Sequence, residues 1–174
     1  DLRAAAADDG TVTIMFSDIA GSTAIAERLG DEAWLEVIRR HNAIVREQVR
    51  GCGGREVANR GDGFMVVFAD PCAAVDCAIA IQRAFQQPGK DPDLADQPTS
   101  RPADQPIQVH IGLHTGRPAQ DEGNFYGTDV NLAARIADHV AQAGQIMVSQ
   151  RLHDALAAEP ALTFGDPVEV ASSA

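Results

Sequence analysis

The sequence predicts an α+β fold: a ferredoxin-like βαββαβ core, with an antiparallel-rich sheet and helices packed mostly on one face. Three observations lead there. Strand-like and helix-like patterns succeed one another as strand, helices, hairpin, helix, strand, helix, strand, helix, strand. Only Arg60-Gly61-Asp62-Gly63 separates the two strand patterns in the middle, so they form a hairpin. No Gly-rich turn of the Walker or Rossmann type occurs, which removes the doubly wound nucleotide folds.

Each element has its own signal. Residues 1–10 are small and polar, a flexible leader, and the folded domain is expected over 11–170. Thr11 to Phe16 is an apolar run that reads as a buried strand and stops at Ser17-Asp18. Ser22 to Leu29 is a short helix halted by Gly30. Asp31 caps a longer helix to about Arg50, with Trp34, Val37, Ile38, Ile44, Val45 and Val49 at helical spacing. Arg55 to Asn59 and Phe64 to Phe68 are the hairpin strands. Pro71 opens an Ala-rich helix to about Phe85.

Residues 88–106 hold five prolines among Asp, Gln and Ser, and read as a surface loop. Ile107 to Leu113 alternates as a strand, ended by Thr115-Gly116-Arg117. Pro118 to Asn124 reads as a protruding polar loop. Thr128 caps a helix to about Ala143, stopped by Gly144. Gln145 to Ser149 is a strand and Arg151 to Ala158 a short helix. Thr163 to Val170 has a strand pattern broken by Gly165 and Pro167, before a tail at 171–174.

Composition narrows the function classes. A chain of 174 residues, 45% hydrophobic and 22% charged, has room for one domain with its own core. No apolar run approaches a membrane span, and the start of the chain lacks a signal-peptide pattern. We read it as cytoplasmic, or as the cytoplasmic domain of a longer protein. A formal net charge of −11 argues against a nucleic-acid backbone or an anionic membrane surface as partner. A polyanionic substrate would then need metal ions, arginine or helix N-termini. Cys52, Cys72 and Cys77 lack zinc-like spacing and read as reduced packing residues.

The chemistry gathers around FSDIAGST, Phe16 to Thr23. A strand that ends at Asp18 and turns at once into a helix places a carboxylate where a hard cation can reach it. The same turn aims the first helical N–H groups outward, an anion site. The plainer reading is Ser22 or Thr23 as helix N-cap, with Asp18 solvated. Asp62 lies in the hairpin of a neighbouring strand, so the two carboxylates can approach and would repel without a proton or a cation between them. Oxygen ligands favour Mg²⁺ or Mn²⁺. Asp62 could also be a turn residue only. Asn131 and Arg135, four apart on a helix, point the same way and suit a sugar oxygen and a phosphate. Arg117, after a strand and a Gly, could reach a phosphate. For each of these three the plainer reading is a solvated surface side chain.

FSDIAGST, the GDGF around Asp62, GLHTGR at 112–117 and YGTDVNLAAR at 126–135 occur in that order. Together they resemble the catalytic domain of class III nucleotidyl cyclases, the adenylyl and guanylyl cyclases, in its bacterial, particularly actinobacterial, form. The resemblance covers roughly Thr11 to Val170. It implies a homodimer with sites at the subunit interface and two metals, Mg²⁺ or Mn²⁺, per site. Asp18 and Asp62 would hold them, helped by the Ile19 carbonyl. The backbone of Ala20, Gly21, Ser22 and Thr23 would cradle the β- and γ-phosphates, and Arg117 would contact the triphosphate. Asn131 and Arg135 would come from the other subunit, orienting the ribose and stabilising the α-phosphate. The implied reaction is in-line attack of the ribose 3′-oxygen of ATP on the α-phosphorus, giving 3′,5′-cyclic AMP and pyrophosphate.

The chain departs from the family pattern where adenine would be read. The positions that are typically Lys and Asp (or Thr) are Ala58 and Asn124 here. Ala58 cannot hydrogen-bond a base, whereas Asn124 can donate or accept. The usual Lys-bearing C-terminal segment is also absent from the sequence. Two alternatives therefore stand beside an adenylyl cyclase: a guanylyl or dual-specificity cyclase using GTP, and a degenerate cyclase-like domain that binds nucleotide and regulates. His110 and His114 share a strand face and read as packing residues. Trp34, Phe85 and Phe125 read likewise, although Phe125 and Tyr126 could line a purine pocket or the dimer interface.

Overall fold

Alternate residues of the first strand build two different cores, and this decides where everything else packs. A computed structural model describes residues 6–7, 9–86 and 106–169. In chain order the elements are β1 (Val12–Ile19), α1 (Ser22–Leu29), α2 (Asp31–Gly51), β2 (Arg55–Arg60), β3 (Gly63–Phe68), α3 (Pro71–Gln86), β4 (Val109–Gly116), β5 (Ala119–Asp121), β6 (Asn124–Tyr126), α4 (Thr128–Arg135), β7 (Ile146–Val148) and α5 (Gln150–Ala155). α4 runs straight into a π-helical segment, Ile136–Val140.

The main sheet has the order β2-β3-β1-β4-β7. β1 pairs antiparallel with both β3 and β4, and β7 joins β4 in parallel at the edge. β2-β3-β1-β4 is the strand order of a βαββαβ core, as the sequence predicts. Met15 and Ile19 of β1 face one side, with Phe64, Val66, Phe68, Ile111 and Leu113. Val45 and Val49 of α2, Ala78 and Ile81 of α3, and Leu152 of α5 close that core. Val12 and Ile14 face the other side with Met65 and Val67, under Ala133 of α4 and Phe125 of β6. Period-two alternation thus gives β1 two apolar faces, each covered by helix. Most helices lie on one face, as expected, and α4 alone takes the other.

α4 sits unusually close to the sheet. A Cβ on Gly112 would overlap the backbone of Ala137, in the π-helical segment that continues α4. Glycine is required there because strand and helix meet backbone to backbone.

Several boundaries differ from the sequence reading. β1 continues through Ser17, Asp18 and Ile19, because these residues stay paired with Ile111, His110 and Val109. Ser17 looked like a strand stop but is 2% exposed. β4 likewise runs on through His114, Thr115 and Gly116. The expected polar loop at 118–124 is mostly a small hairpin, β5–β6, in which Gln120 pairs with Phe125. Phe125, 4% exposed, anchors it in the second core. α4 ends as a regular helix at Arg135 rather than near Ala143. No strand forms over 163–169, where Gly165 and Pro167 prevail. The Pro-rich stretch expected over 88–106 lies, but for Pro106, outside the described residues. So do Val170 and the 171–174 tail.

Candidate active site

Asp18 lies one residue beyond the last β1–β3 pair, Ser17 with Phe64. It is on the sheet face that α4 covers, directly opposite His110 of β4. Asp62 occupies the β2–β3 turn, which Gly61 closes at φ 68°. That left-handed angle suits glycine. The two carboxyl groups stand within hydrogen-bond reach of each other. Burial, then the Asp62 carboxylate beside it, pushes the Asp18 carboxyl up from 3.8 to about 7. Asp138, in the middle of the π segment that continues α4, adds repulsion, and the Ile19 N–H opposes the shift by donating to Asp18 Oδ1 at 3.0 Å. Among the described residues, Asp62 Oδ2 is buried with no hydrogen-bond partner. Two carboxyl groups this close call for a proton or a cation between them. The all-oxygen donor set fits Mg²⁺ or Mn²⁺.

The turn after β1 stays on the sheet. The Ala20 N–H bonds the Gln108 carbonyl at 2.8 Å. Ile19 is buried, Gly21 and Thr23 are exposed, and Ser22 is intermediate. The N-cap of α1 is Gly21, at φ 68°, and no side chain caps the helix. The plainer reading of Ser22 or Thr23 as N-cap is therefore corrected. The first N–H groups of α1 keep their outward donors free of side-chain partners.

Asn131 and Arg135 lie exposed on α4. Among the described residues no hydrogen bond or ion pair joins either to Asp18 or Asp62. Leu132 (41% exposed) lies between Asn131 and Arg135 on α4, and Tyr126 (52%) ends the preceding strand, β6. Asn124 is exposed at the start of β6, and Ala58, partly buried, pairs with Met65 on the α4 face. Arg55 of β2 reaches across to the hairpin, donating through Nη2 to the Gly123 carbonyl at 3.2 Å.

Arg117 is not brought to the carboxylate pair. It follows Gly116, which pairs with Val12, six residues along β1 from Asp18. Six strand residues span about 20 Å. Its guanidinium is held by Asp9 at 2.6 Å and Thr11 at 3.3 Å.

Sequence reasoning missed three polar features. His114 is no mere packing residue. Nδ1 meets Ser149 Oγ at 2.8 Å and Nε2 meets Asp129 Oδ1 at 3.0 Å. Asp129 Oδ2 accepts the Arg117 N–H at 2.8 Å. Burial raises the Asp129 carboxyl, but these hydrogen bonds outweigh it and hold the group below its ordinary value. The third feature is a pair of amides on the Asp62 turn: Asn42 Nδ2 and Asn59 Nδ2 both donate to the Gly61 carbonyl, at 3.2 and 3.3 Å. The order of the His-Thr-Gly-Arg and Thr-Asp segments gave a hint of the first two. Nothing in the sequence singles out Asn42.

The chain belongs to the adenylate and guanylate cyclase catalytic domain family, whose model matches residues 5–172. Among characterised relatives, an adenylate cyclase of Mycosarcoma maydis is 32% identical over 155 residues, covering 81% of this chain and 6% of that protein. An uncharacterised protein of Mycobacterium tuberculosis is 33% identical, covering 89% of this chain and 37% of its own length. The chain thus spans well under half the length of these relatives. Among solved structures, a monomeric adenylate cyclase domain of Trypanosoma brucei superposes with TM-score 0.73 at 25% identity, covering 91% of this chain and 80% of that one. The guanylate cyclase domain of a Catenaria anguillulae protein in complex with GTP shares the fold, with TM-score 0.69 at 20% identity over 84% and 82% of the two chains.

Proposed function

We propose that this domain is an adenylyl cyclase, converting ATP to 3′,5′-cyclic AMP and pyrophosphate at sites completed by a second copy of the chain. The observation that carries the reading is the Asp18–Asp62 pair, with its buried orphan oxygen and its raised carboxyl. The adenylate cyclases among the relatives favour ATP. The complex of a related fold with GTP keeps the guanylyl or dual-specificity alternative in view, because Ala58 offers a base no hydrogen bond.

Asp18, Asp62 and the Ile19 carbonyl would hold two Mg²⁺ or Mn²⁺ ions, which would supply charge neutralisation and polarise the attacking and leaving oxygens. The N–H groups of Gly21, Ser22 and Thr23 bind the β- and γ-phosphates at the start of α1, whereas that of Ala20 is spent on the Gln108 carbonyl. Asn131 orients the ribose so that its 3′-oxygen lies in line with the α-phosphorus. Arg135 receives two oxygens of the α-phosphate as negative charge builds there. No covalent enzyme intermediate is required. Asn131 and Arg135 are exposed and, among the described residues, make no hydrogen bond or ion pair with the carboxylates of their own chain, which supports their serving the partner's site. Arg117 lies too far along β4 to touch a triphosphate at Asp18 of its own chain. Its assignment therefore also requires the partner's site, with Asp9 displaced. Asn124 and Ala58 would face the purine. We read the domain as cytoplasmic, with neither nucleic acid nor a membrane surface as partner, a reading supported by its net charge of −11.

The test is turnover by the purified protein with ATP and with GTP, in Mn²⁺ and in Mg²⁺. Cyclic AMP that disappears in Asp18→Ala supports the reading. Preference for GTP supports the alternative. Tight nucleotide binding without any cyclic product leaves only the degenerate regulatory domain.

A further inference from the structure

The turn that carries Asp62 is held from outside its own hairpin. Asn42, in the middle of α2, donates from Nδ2 to the Gly61 carbonyl at 3.2 Å. A carbonyl can only accept, so the Asn42 amide is fixed with its nitrogen toward Gly61. Its oxygen, Oδ1, then faces the ring of His41 and lies 3.0 Å from Nδ1. An amide oxygen can only accept, so His41 must carry its proton on Nδ1. The tautomer follows from the chain of partners.

His41 is in turn immobile. It is fully buried, stacked on Phe85 at 5.4 Å and tilted against Phe64 at 5.8 Å. Phe64 is two residues beyond Asp62, so the ring that orients Asn42 is packed against the strand that leaves the turn. Asn59 also donates to the Gly61 carbonyl, and to that of Gly63 at 3.2 Å. Both of those bonds are local to the hairpin and move with it. The Asn42 bond refers the turn to the helix layer behind the sheet.

We propose that Asn42 is a positioning residue for the Asp18–Asp62 site: its amide, oriented by the buried His41 ring, fixes the Gly61 carbonyl and so sets where the Asp62 carboxylate stands relative to Asp18. The proposal rests on the metal-site reading above. Without this tie the turn keeps its shape but gains freedom to swing against β1. The separation of the two carboxylates then varies, and a pair of small cations that demands fixed oxygens binds less well. A partner that orients a ligand from outside the first shell typically controls metal affinity by about 10–100-fold.

The experiment measures Mn²⁺ binding to the nucleotide-free protein by the electron paramagnetic resonance signal of free Mn²⁺, with thermal unfolding alongside. Asn42→Leu keeps the side-chain size and favours helix but leaves the buried His41 Nδ1–H unpaired, so its melting temperature should fall modestly while the protein stays folded at the temperature of the titration. Its Mn²⁺ affinity should fall about tenfold or more. In turnover, its apparent Mn²⁺ requirement should rise while kcat at saturating Mn²⁺ stays near that of the parent. Asn42→Gln, which retains an amide donor, should recover part of the affinity. Asp62→Asn serves as the reference for a lost ligand. If the parent binds Mn²⁺, Asp62→Asn does not, and Asn42→Leu binds as the parent does, the positioning role is wrong and the metal site stands. If the parent itself binds no Mn²⁺, both fall together.

Discussion

The Asp18 carboxyl group faces that of Asp62 where β1 leaves its ladder with β3, and burial together with this neighbour makes Asp18 harder to ionise. In the metal-free protein Asp18 keeps its proton up to about pH 7, whereas in the unfolded chain it ionises near 3.8. Between those values the native state binds more protons than the unfolded state. Stability contributed by this group is therefore greatest at low pH and falls as pH rises from about 4 to 7. Glu56, held down by its hydrogen bonds to Arg46, and Asp129 titrate in the opposite sense, losing stability as pH falls. The comparison that isolates Asp18 is thus between the parent and Asp18→Asn. In chelator at pH 7 the variant should be more stable by about 1–3 kcal/mol, and the advantage should vanish near pH 4. Denaturant unfolding at both pH values measures this. Equal stability at pH 7 would show that the pair is not under strain.

Adding Mn²⁺ should reverse that order. A cation between the carboxylates replaces the proton and stabilises only the folded state. At a concentration about 100 times its dissociation constant the parent gains about 2.7 kcal/mol, and Asp18→Asn gains little. Melting curves with and without Mn²⁺ decide the point; an equal gain in both proteins counts against the site.

Shared sites predict complementation. Asp18→Asn and Arg135→Ala should each be inactive alone. Mixed in equal amounts, they should recover roughly a quarter of the parent activity, because random pairing makes half the dimers mixed and each of those has one intact site. Arg135 is exposed, so Arg135→Ala should leave the melting temperature unchanged. A mixture as inactive as its components argues that each chain works alone.

Ala58→Lys should shift base preference toward ATP. A base-specific hydrogen bond gained or lost is worth roughly 1–3 kcal/mol where a buried partner would otherwise go unpaired. The ratio of kcat/KM for ATP to that for GTP should change accordingly. An unchanged ratio removes Ala58 from the base-reading positions.

Gly112→Ala should destabilise the fold by about 1–3 kcal/mol or more. The new methyl would overlap the Ala137 backbone, which cannot move aside like a flexible side chain. Activity should fall with it, since α4 carries Asn131 and Arg135. A variant as stable and active as the parent would mean that α4 and β4 are less closely docked than described.

Much of this was legible in the sequence because most signals were local. The apolar run at Val12 to Phe16 marked a strand, Gly61 and Gly63 a tight turn, and Gly30 a helix end. The approach of Asp18 to Asp62 followed once β1 and β3 were read as neighbours. What escaped depended on partners distant in the chain. Ser17 and Asp18 stay in a strand because β4 pairs with them, and no local propensity reports that. The β5–β6 hairpin was hidden because its residues are polar; only Phe125 ties it down. Asn42 and His114 act through bonds 19 and 35 residues away, so no motif contains them. The placing of Arg117 beyond reach of Asp18 follows from the β1–β4 register, which spacing alone does not supply.

Asp129 has a consequence for how the domain can change over time. With one oxygen on His114 of β4 and the other on the Arg117 N–H, it pins the first turn of α4 directly to the sheet. The intervening hairpin, with Asn124 near its tip, hangs outside this fastening. On the assignments proposed above, the loop that would sense the base can be remodelled while the helix that would handle the phosphate stays in register. Substrate choice and chemical competence become separately tunable, and a lineage can exchange one purine for another without rebuilding the machinery that closes the ring.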